Sequence, residues 1–159
     1  MSQQIRLRQM KQADLQSVYE LVRNTIQVAY ADVYPPEAIE FFKNYHNREN
    51  MLKDLETGYI VVAEADEQIL GTGTLLGTNV RRVYIPPEHQ RQGIGKLVVK
   101  ELERKAKSAG LEKLDLSASP KSRRFWESAG FGLLGEFFLP VAKEKKLIYY
   151  EMVKTLGNG

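Results

Sequence analysis

The sequence predicts a single mixed α/β domain. Three observations carry this. Short runs rich in β-forming residues alternate with stretches whose apolar residues recur every three or four positions. The order is strand, two or more helices, three strands, helix, strand, helix, two strands, with no internal repeat and no dividing linker. The 159 residues are 43% hydrophobic and 27% charged, enough for one substantial core and unlike a disordered or collagen-like chain. The expected domain covers 1–159, with its core at about 4–153.

Gln4 to Arg8 alternates polar and apolar residues, the period of a strand. Leu15, Val18, Leu21, Val22, Thr25 and Ile26 then mark one face of a helix from about Gln12 to Ala29. Pro35-Pro36 with Glu37 suits the first turn of a second helix, running to about Tyr45 and carrying Ile39, Phe41 and Phe42. Arg48 to Glu56 reads as a further short helical piece. Tyr59 to Ala63 and Ile69 to Leu76 form a hairpin across the turn Asp66-Glu67-Gln68. Gly71 and Gly73 alternate in its second strand; tight packing or a bulge stands ahead of ligand approach as the reason.

Asn79 to Ile85 is the next strand, stopped by Pro86-Pro87 because proline cannot donate to a ladder. Ile94, Leu97, Val98, Glu101, Leu102, Lys105 and Ala106 define a long helix that ends at Gly110. Leu111 to Leu116 is a buried strand. Ser119 or Ser122 caps a helix carrying Phe125, Trp126 and Ala129, and Gly130 ends it. Phe131 to Leu139 and Leu147 to Val153 close the chain as two strands. The charged Lys143 to Lys146 lies between them, and Thr155 to Gly159 is expected to fray.

Composition excludes several function classes. No apolar run approaches the ~20 residues that a membrane helix needs, and the polar N-terminus is not expected to be a signal peptide. Without cysteine there is no disulfide, thiolate metal site or Cys nucleophile, and a cytoplasmic location fits. His46 and His89 give no metal-ligand spacing. The net charge of +3 is too small, without a clustered stripe, for a nucleic-acid partner.

The informative segment is Gln90 to Lys96, Q-R-Q-G-I-G-K, where a strand turns into a helix. The opening of a helix leaves backbone N–H groups unpaired, and its dipole favours an anion there. Gly93 and Gly95 have no side chain to hold a diphosphate away from those amides. Arg91 and Lys96 add positive charge.

With its flanks, this turn resembles the phosphate-binding motif of the GNAT superfamily of N-acetyltransferases, Q/R-x-x-G-x-G/A. Gln90-Arg91-Gln92-Gly93-Ile94-Gly95 matches each fixed position. The preceding V-Y-I-P-P-E-H is similar to the family's strand end, and Phe125 to Phe131, F-W-E-S-A-G-F, is similar to its last-helix signature. The element order matches from Ile5 to Val153. The resemblance implies a central mixed sheet of six to seven strands with a splayed parallel pair, about four helices, and acetyl-coenzyme A as cofactor. It implies that Asn79–Ile85 and Leu111–Leu116 are the splayed strands. Backbone groups of Val83, Tyr84 and Ile85 would pair with the pantetheine arm as a strand would. Gln90, Arg91, Gln92, Gly93, Ile94, Gly95 and Lys96 would cradle the diphosphate. Ser119, Ser122, Phe125 and Trp126 would lie along the cofactor. The implied reaction is direct attack by the primary amine of a small molecule on the thioester; a homodimer is common in the family.

The chain departs from the family where catalysis is concerned. Asn79 stands where many members carry a carboxylate base; an amide cannot take a proton at neutral pH but can position a water. Glu64 and Glu88 are further base candidates that also read as solvated charges. Trp126 stands where the thiolate's acid is often a Tyr, and an indole is only a hydrogen-bond donor. Tyr30, Tyr34 and His46 fall where the acceptor site is shaped. Tyr34 either supplies a phenol proton or packs over the helix pair. Arg81 and Arg82 are expected on opposite faces of one strand, and one of them can serve an acidic acceptor. A non-catalytic acyl-coenzyme A sensor or partner-binding module on the same fold is the competing expectation.

Overall fold

The computed structural model describes residues 4–142 and 145–157. In chain order the elements are β1 (Arg6–Gln9), α1 (Leu15–Tyr30), α2 (Pro36–Tyr45), α3 (Arg48–Thr57), β2 (Tyr59–Ala65), β3 (Gln68–Leu76), β4 (Asn79–Tyr84), α4 (Ile94–Ser108), β5 (Lys113–Ala118), α5 (Arg123–Ser128), β6 (Gly132–Ala142) and β7 (Lys145–Thr155). Short 3-10 turns occupy Gln12–Asp14 and Pro87–His89.

Seven strands form one sheet in the order β1-β2-β3-β4-β5-β7-β6. All neighbours are antiparallel except β4 and β5. This is the mixed sheet with a parallel pair that the family resemblance implies. The parallel pair touches only at its start, where Asn79 opposes Asp115 and the Asp115 N–H donates to Thr78 O at 3.0 Å. Past that point the two strands part. The sheet therefore opens a wedge in its middle.

Helices cover the two faces unequally. On one face α4 buries Ile94, Val98, Leu102 and Ala106 against Val61, Ala63, Leu114 and Leu116. Gly71 and Gly73 let α4 and the end of β4 approach this closely. A Cβ on Gly73 would stand 2.5 Å from Val98 Cγ1, and one on Gly71 would stand 2.4 Å from Ile85 Cδ1. Packing is their role. On the other face α1 buries Val18, Val22 and Ile26 with Ile39 of α2 and Met51 of α3, over Ile60 and Val62. Each such fully buried aliphatic side chain contributes about 1.5–3 kcal/mol. This second core includes no residue of β5, β6 or β7. On that face the middle of the sheet is left as the floor of a groove.

Element ends differ from the periodicity for local reasons. β5 begins at Lys113 because Leu111 closes α4, its N–H bonding Ala106 O at 3.0 Å behind Gly110. Asn47 caps α3, its side chain accepting from the Asn50 N–H at 2.8 Å. Thr155, expected to fray, pairs with Lys113, and the Leu156 N–H bonds Glu112 O at 2.8 Å. Met1 to Gln3, Lys143, Glu144, Asn158 and Gly159 lie outside the described residues. No helix among the described residues is long and apolar enough to cross a membrane.

Candidate functional site

A bulge in β4 shapes the site. Thr72 opposes Tyr84 while Thr74 opposes Arg81, so β4 carries one residue more than β3 there. Arg82 takes up the excess at φ 54. Val80 and Val83 consequently both pack into the α4 core, while Tyr84 packs into the other. Arg81 and Arg82 fall on the same side, not on opposite faces as strict alternation predicts.

The two arginines have different fates. Arg82 is 6% exposed, with Nη1 2.8 Å from Asp54 Oδ2 of α3 in an ion pair off the linear hydrogen-bond direction. Its Nε donates to His46 Nδ1 at 3.0 Å, and His46 Nε2 lies 3.3 Å from the Tyr84 hydroxyl. Burial, with the charges of Arg82 and Arg81, pushes the His46 pKa down to about 3. His46 is therefore neutral, with its proton assigned to Nε2 because Nδ1 accepts. Burial raises the Tyr84 phenol well above its ordinary value. Arg81 instead remains partly exposed, its Nε donating to Asn79 Oδ1 at 2.8 Å.

The glycine turn is built as expected, with one change of role. Arg91 at φ 67 and Gly93 at φ 81 both adopt the left-handed conformation that turns the chain into α4. The first intrahelical bond runs from the Leu97 N–H to Gly93 O at 3.1 Å, so the amides of Ile94, Gly95 and Lys96 point free at the helix start. The Gln90 side chain donates to Ile85 O at 2.8 Å and ties the turn to the end of β4. Gly95 serves packing as well as access: a Cβ there would meet the Phe125 ring at 3.1 Å.

Two cavities meet at the wedge. The first, about 530 Å³, runs from the turn along Val83, Tyr84 and Ile85 to α5. Arg91, Gly93, Ile94, Gly95 and Lys96 line it, with Ser119, Ser122, Phe125 and Trp126 opposite. Gln92 is exposed outside that lining. The second cavity, about 370 Å³, is the groove over β4, β5 and β7. Tyr30, Val83, Tyr84, Ser119, Ser122 and Trp126 border both. Here Ser119 and Ser122 hold each other, their hydroxyls 2.9 Å apart and the Ser122 N–H bonding Ser119 Oγ at 3.2 Å. Trp126 is 7% exposed and packs edge-to-face on Phe125 and Phe131, so it is a core wall.

Tyr30 reaches this junction, beside Ser119 and Tyr84, and burial raises its phenol. Tyr34 stands behind it, edge-on to the Tyr30 ring at 5.1 Å. Its hydroxyl is buried near Ser119 and its pKa is pushed up to about 12, chiefly by burial. Asn79 lines the groove, held by Arg81 and by its own donation to Asp115 Oδ1 at 2.8 Å. Glu64 pairs with Arg8 at 3.1 Å, and Glu88 lines a different, acidic cavity beside α1. Neither borders the groove.

Sequence reasoning passed over Asp54, Ser117, Lys121 and Glu151. Lys121 lines the first cavity and donates to Ala29 O. Glu151 lines the groove, its Oε1 accepting from Ser117 Oγ at 2.8 Å. None carries a sequence signal, since each is a lone polar residue joined to its partners by pairing distant in the chain. Among the described residues no group of three His, Cys, Asp or Glu is placed to hold a metal.

Comparison with known proteins agrees with this arrangement. The family model described as acetyltransferase (GNAT) domain matches residues 30–156. The glucosamine 6-phosphate N-acetyltransferase of Schizosaccharomyces pombe is 29% identical over 99 residues, 54% of this chain and 89% of that protein. The spermidine N(1)-acetyltransferase of Thermoplasma acidophilum is 27% identical over 123 residues, 67% of this chain and 73% of that protein. The structure of the PaiA N-acetyltransferase from Thermoplasma acidophilum in complex with coenzyme A superposes with a TM-score of 0.78 at 22% identity, covering 98% of this chain and 99% of that one.

Proposed function

This chain belongs to the GNAT acetyltransferase family and is an N-acetyltransferase; from that premise we propose that it moves acetyl from acetyl-coenzyme A to the primary amine of a small molecule. The observation that carries the reading is the junction of the two cavities at Tyr30, Ser119 and Trp126. One cavity has a helix start and an unpaired strand edge; the other has polar groups at its floor. Two named relatives act on small amines, glucosamine 6-phosphate and spermidine, which supports an acceptor of that size.

The residues present fit the donor. The free amides of Ile94, Gly95 and Lys96, with Arg91 and Lys96, suit a diphosphate. The backbone edge of Val83, Tyr84 and Ile85 faces the wedge without a strand partner, which suits the amides of a pantetheine arm. When bound, acetyl-coenzyme A supplies an activated acyl group on sulfur.

The chain's own groups then have these roles. Tyr30 offers a phenol proton that stays on oxygen at neutral pH, a hydrogen-bond donor toward charge developing at the junction. Tyr34 backs it from the second rank and is the alternative donor. Asn79, fixed on both sides, orients a water that carries the amine proton away. Trp126 excludes bulk water from the junction. Exposed Phe137, Phe138 and Ile148 on the edge hairpin suit a homodimer, and a cysteine-free chain is compatible with the cytoplasm.

Release of free thiol from acetyl-coenzyme A, followed across a panel of small amines, tests the reading. Amine-dependent thiol release with a matching acetylated product is expected. Coenzyme A binding without turnover on any amine would overturn it.

A further inference from the structure

Among the described residues, the groove lining carries one acid and one base without a carboxylate partner, on different strands, and we infer that its acceptor is a zwitterion. The inference rests on the acetyltransferase reading and specifies its substrate class. Glu151 of β7 would hold the acceptor's ammonium, and Arg81 of β4 would hold an anionic group, carboxylate or phosphate, on the same molecule.

Elimination among the charged groups leads to this pair. Asp115 lies on the same face of the sheet, but Thr78 and Asn79 occupy its Oδ2 and Oδ1 at 2.6 and 2.8 Å. Arg82 also borders the groove, yet it is 6% exposed, its charge is met by Asp54 at Nη1, and its Nε donates to His46. A buried, already paired charge has little left for a ligand. Glu151 is the carboxylate of the groove lining, and Ser117 holds one of its oxygens, leaving the other without a partner among the described residues. Arg81 is aimed by Asn79 through Nε alone, which leaves its terminal nitrogens for a bidentate anion.

Spacing keeps the two charges apart. β4 and β7 flank β5, and β4 has already parted from β5 at Arg81, so the two strands stand more than about 10 Å apart, the span of two regular strand spacings. Arg81 and Glu151 make no ion pair with each other among the described residues. An unliganded groove therefore holds a separated plus and minus, which a small molecule with charges of the opposite order bridges. A polycation would meet Arg81 unfavourably, and a neutral amine would use only half the site. Register puts Glu151 beside Ser117, two residues before Ser119 at the junction. An ammonium on Glu151 is thus one short step from the transfer point.

The test compares ω-amino carboxylates and an amino-sugar phosphate with their methyl esters and the dephosphorylated sugar. It measures acetylation by thiol release and acceptor binding to the coenzyme A-loaded protein by calorimetry. Wild type is expected to favour the charged members at least ~10-fold. Glu151→Gln should weaken binding of every amine by on the order of 10- to 100-fold, and Arg81→Gln should weaken only the anionic ones by a similar factor. Coenzyme A affinity unchanged within about twofold in both variants reports an intact fold. Acetylation of neutral amines or polyamines in preference to zwitterions overturns this inference and keeps the acetyltransferase reading. Neither turnover nor zwitterion binding, with coenzyme A bound, overturns both.

Discussion

The guanidinium Nε of Arg82 donates to Nδ1 of His46 across 3.0 Å in the interior beside the groove. A protonated His46 cannot accept that bond. Its pKa falls from 6.5 to about 3, because burial and then Arg82 and Arg81 disfavour the cation. The unfolded chain therefore binds a proton that the folded chain refuses. His46 costs no stability above about pH 6.5, and stability falls by about 1.4 kcal/mol per unit as pH drops from there toward 3. Urea unfolding at about pH 7 and pH 5 should show a loss of roughly 2 kcal/mol from this residue. His46→Gln should lack that part of the loss; an equal loss in both proteins would contradict the assignment.

Arg82→Met should be strongly destabilising, since Asp54 would be left charged at 6% exposure. A cost of about 3–5 kcal/mol is expected from the urea midpoint. The double variant with Asp54→Leu should recover much of it. A loss below about 1 kcal/mol in the single variant would show that Asp54 finds another partner or water.

Gly95→Ala should impair the cofactor site through packing. The new methyl would press the Phe125 ring at 3.1 Å, and that ring lines the first cavity. Coenzyme A affinity should fall about fivefold or more by calorimetry, with a stability loss of about 1–3 kcal/mol. Unchanged affinity would mean that the ring moves aside at no cost to the site.

Tyr30→Phe should separate chemistry from binding. A loss of about 10- to 100-fold in kcat is expected, with coenzyme A affinity unchanged within about twofold. Tyr34→Phe, one rank behind, should cost less. The opposite ranking would make Tyr34 the working phenol.

Gly110, Pro36 and the Gln90–Lys96 turn show why much of the fold was legible. Each acts through its own backbone or its immediate neighbours, so its identity and spacing already contain the physics. The turn that opens α4 is legible for the same reason: a helix start after a strand is a local object. The groove over β4, β5 and β7 is not. Glu151 gains meaning only from Ser117, and Asp54 only from Arg82. Such pairs join segments far apart in sequence, and a lone carboxylate in a strand reads as a solvated charge.

The sequence by itself determined the element order and the glycine turn that opens α4, because periodicity, proline and glycine act over a few residues; the parallel pair came from the family resemblance. Only the tertiary structure decided where the two arginines go. One extra residue in β4, taken up at Arg82, breaks the two-residue alternation and brings both side chains to one face. Packing then sorts them: helix α3 presents Asp54 and buries Arg82, while the open floor beside β5 leaves Arg81 in the groove.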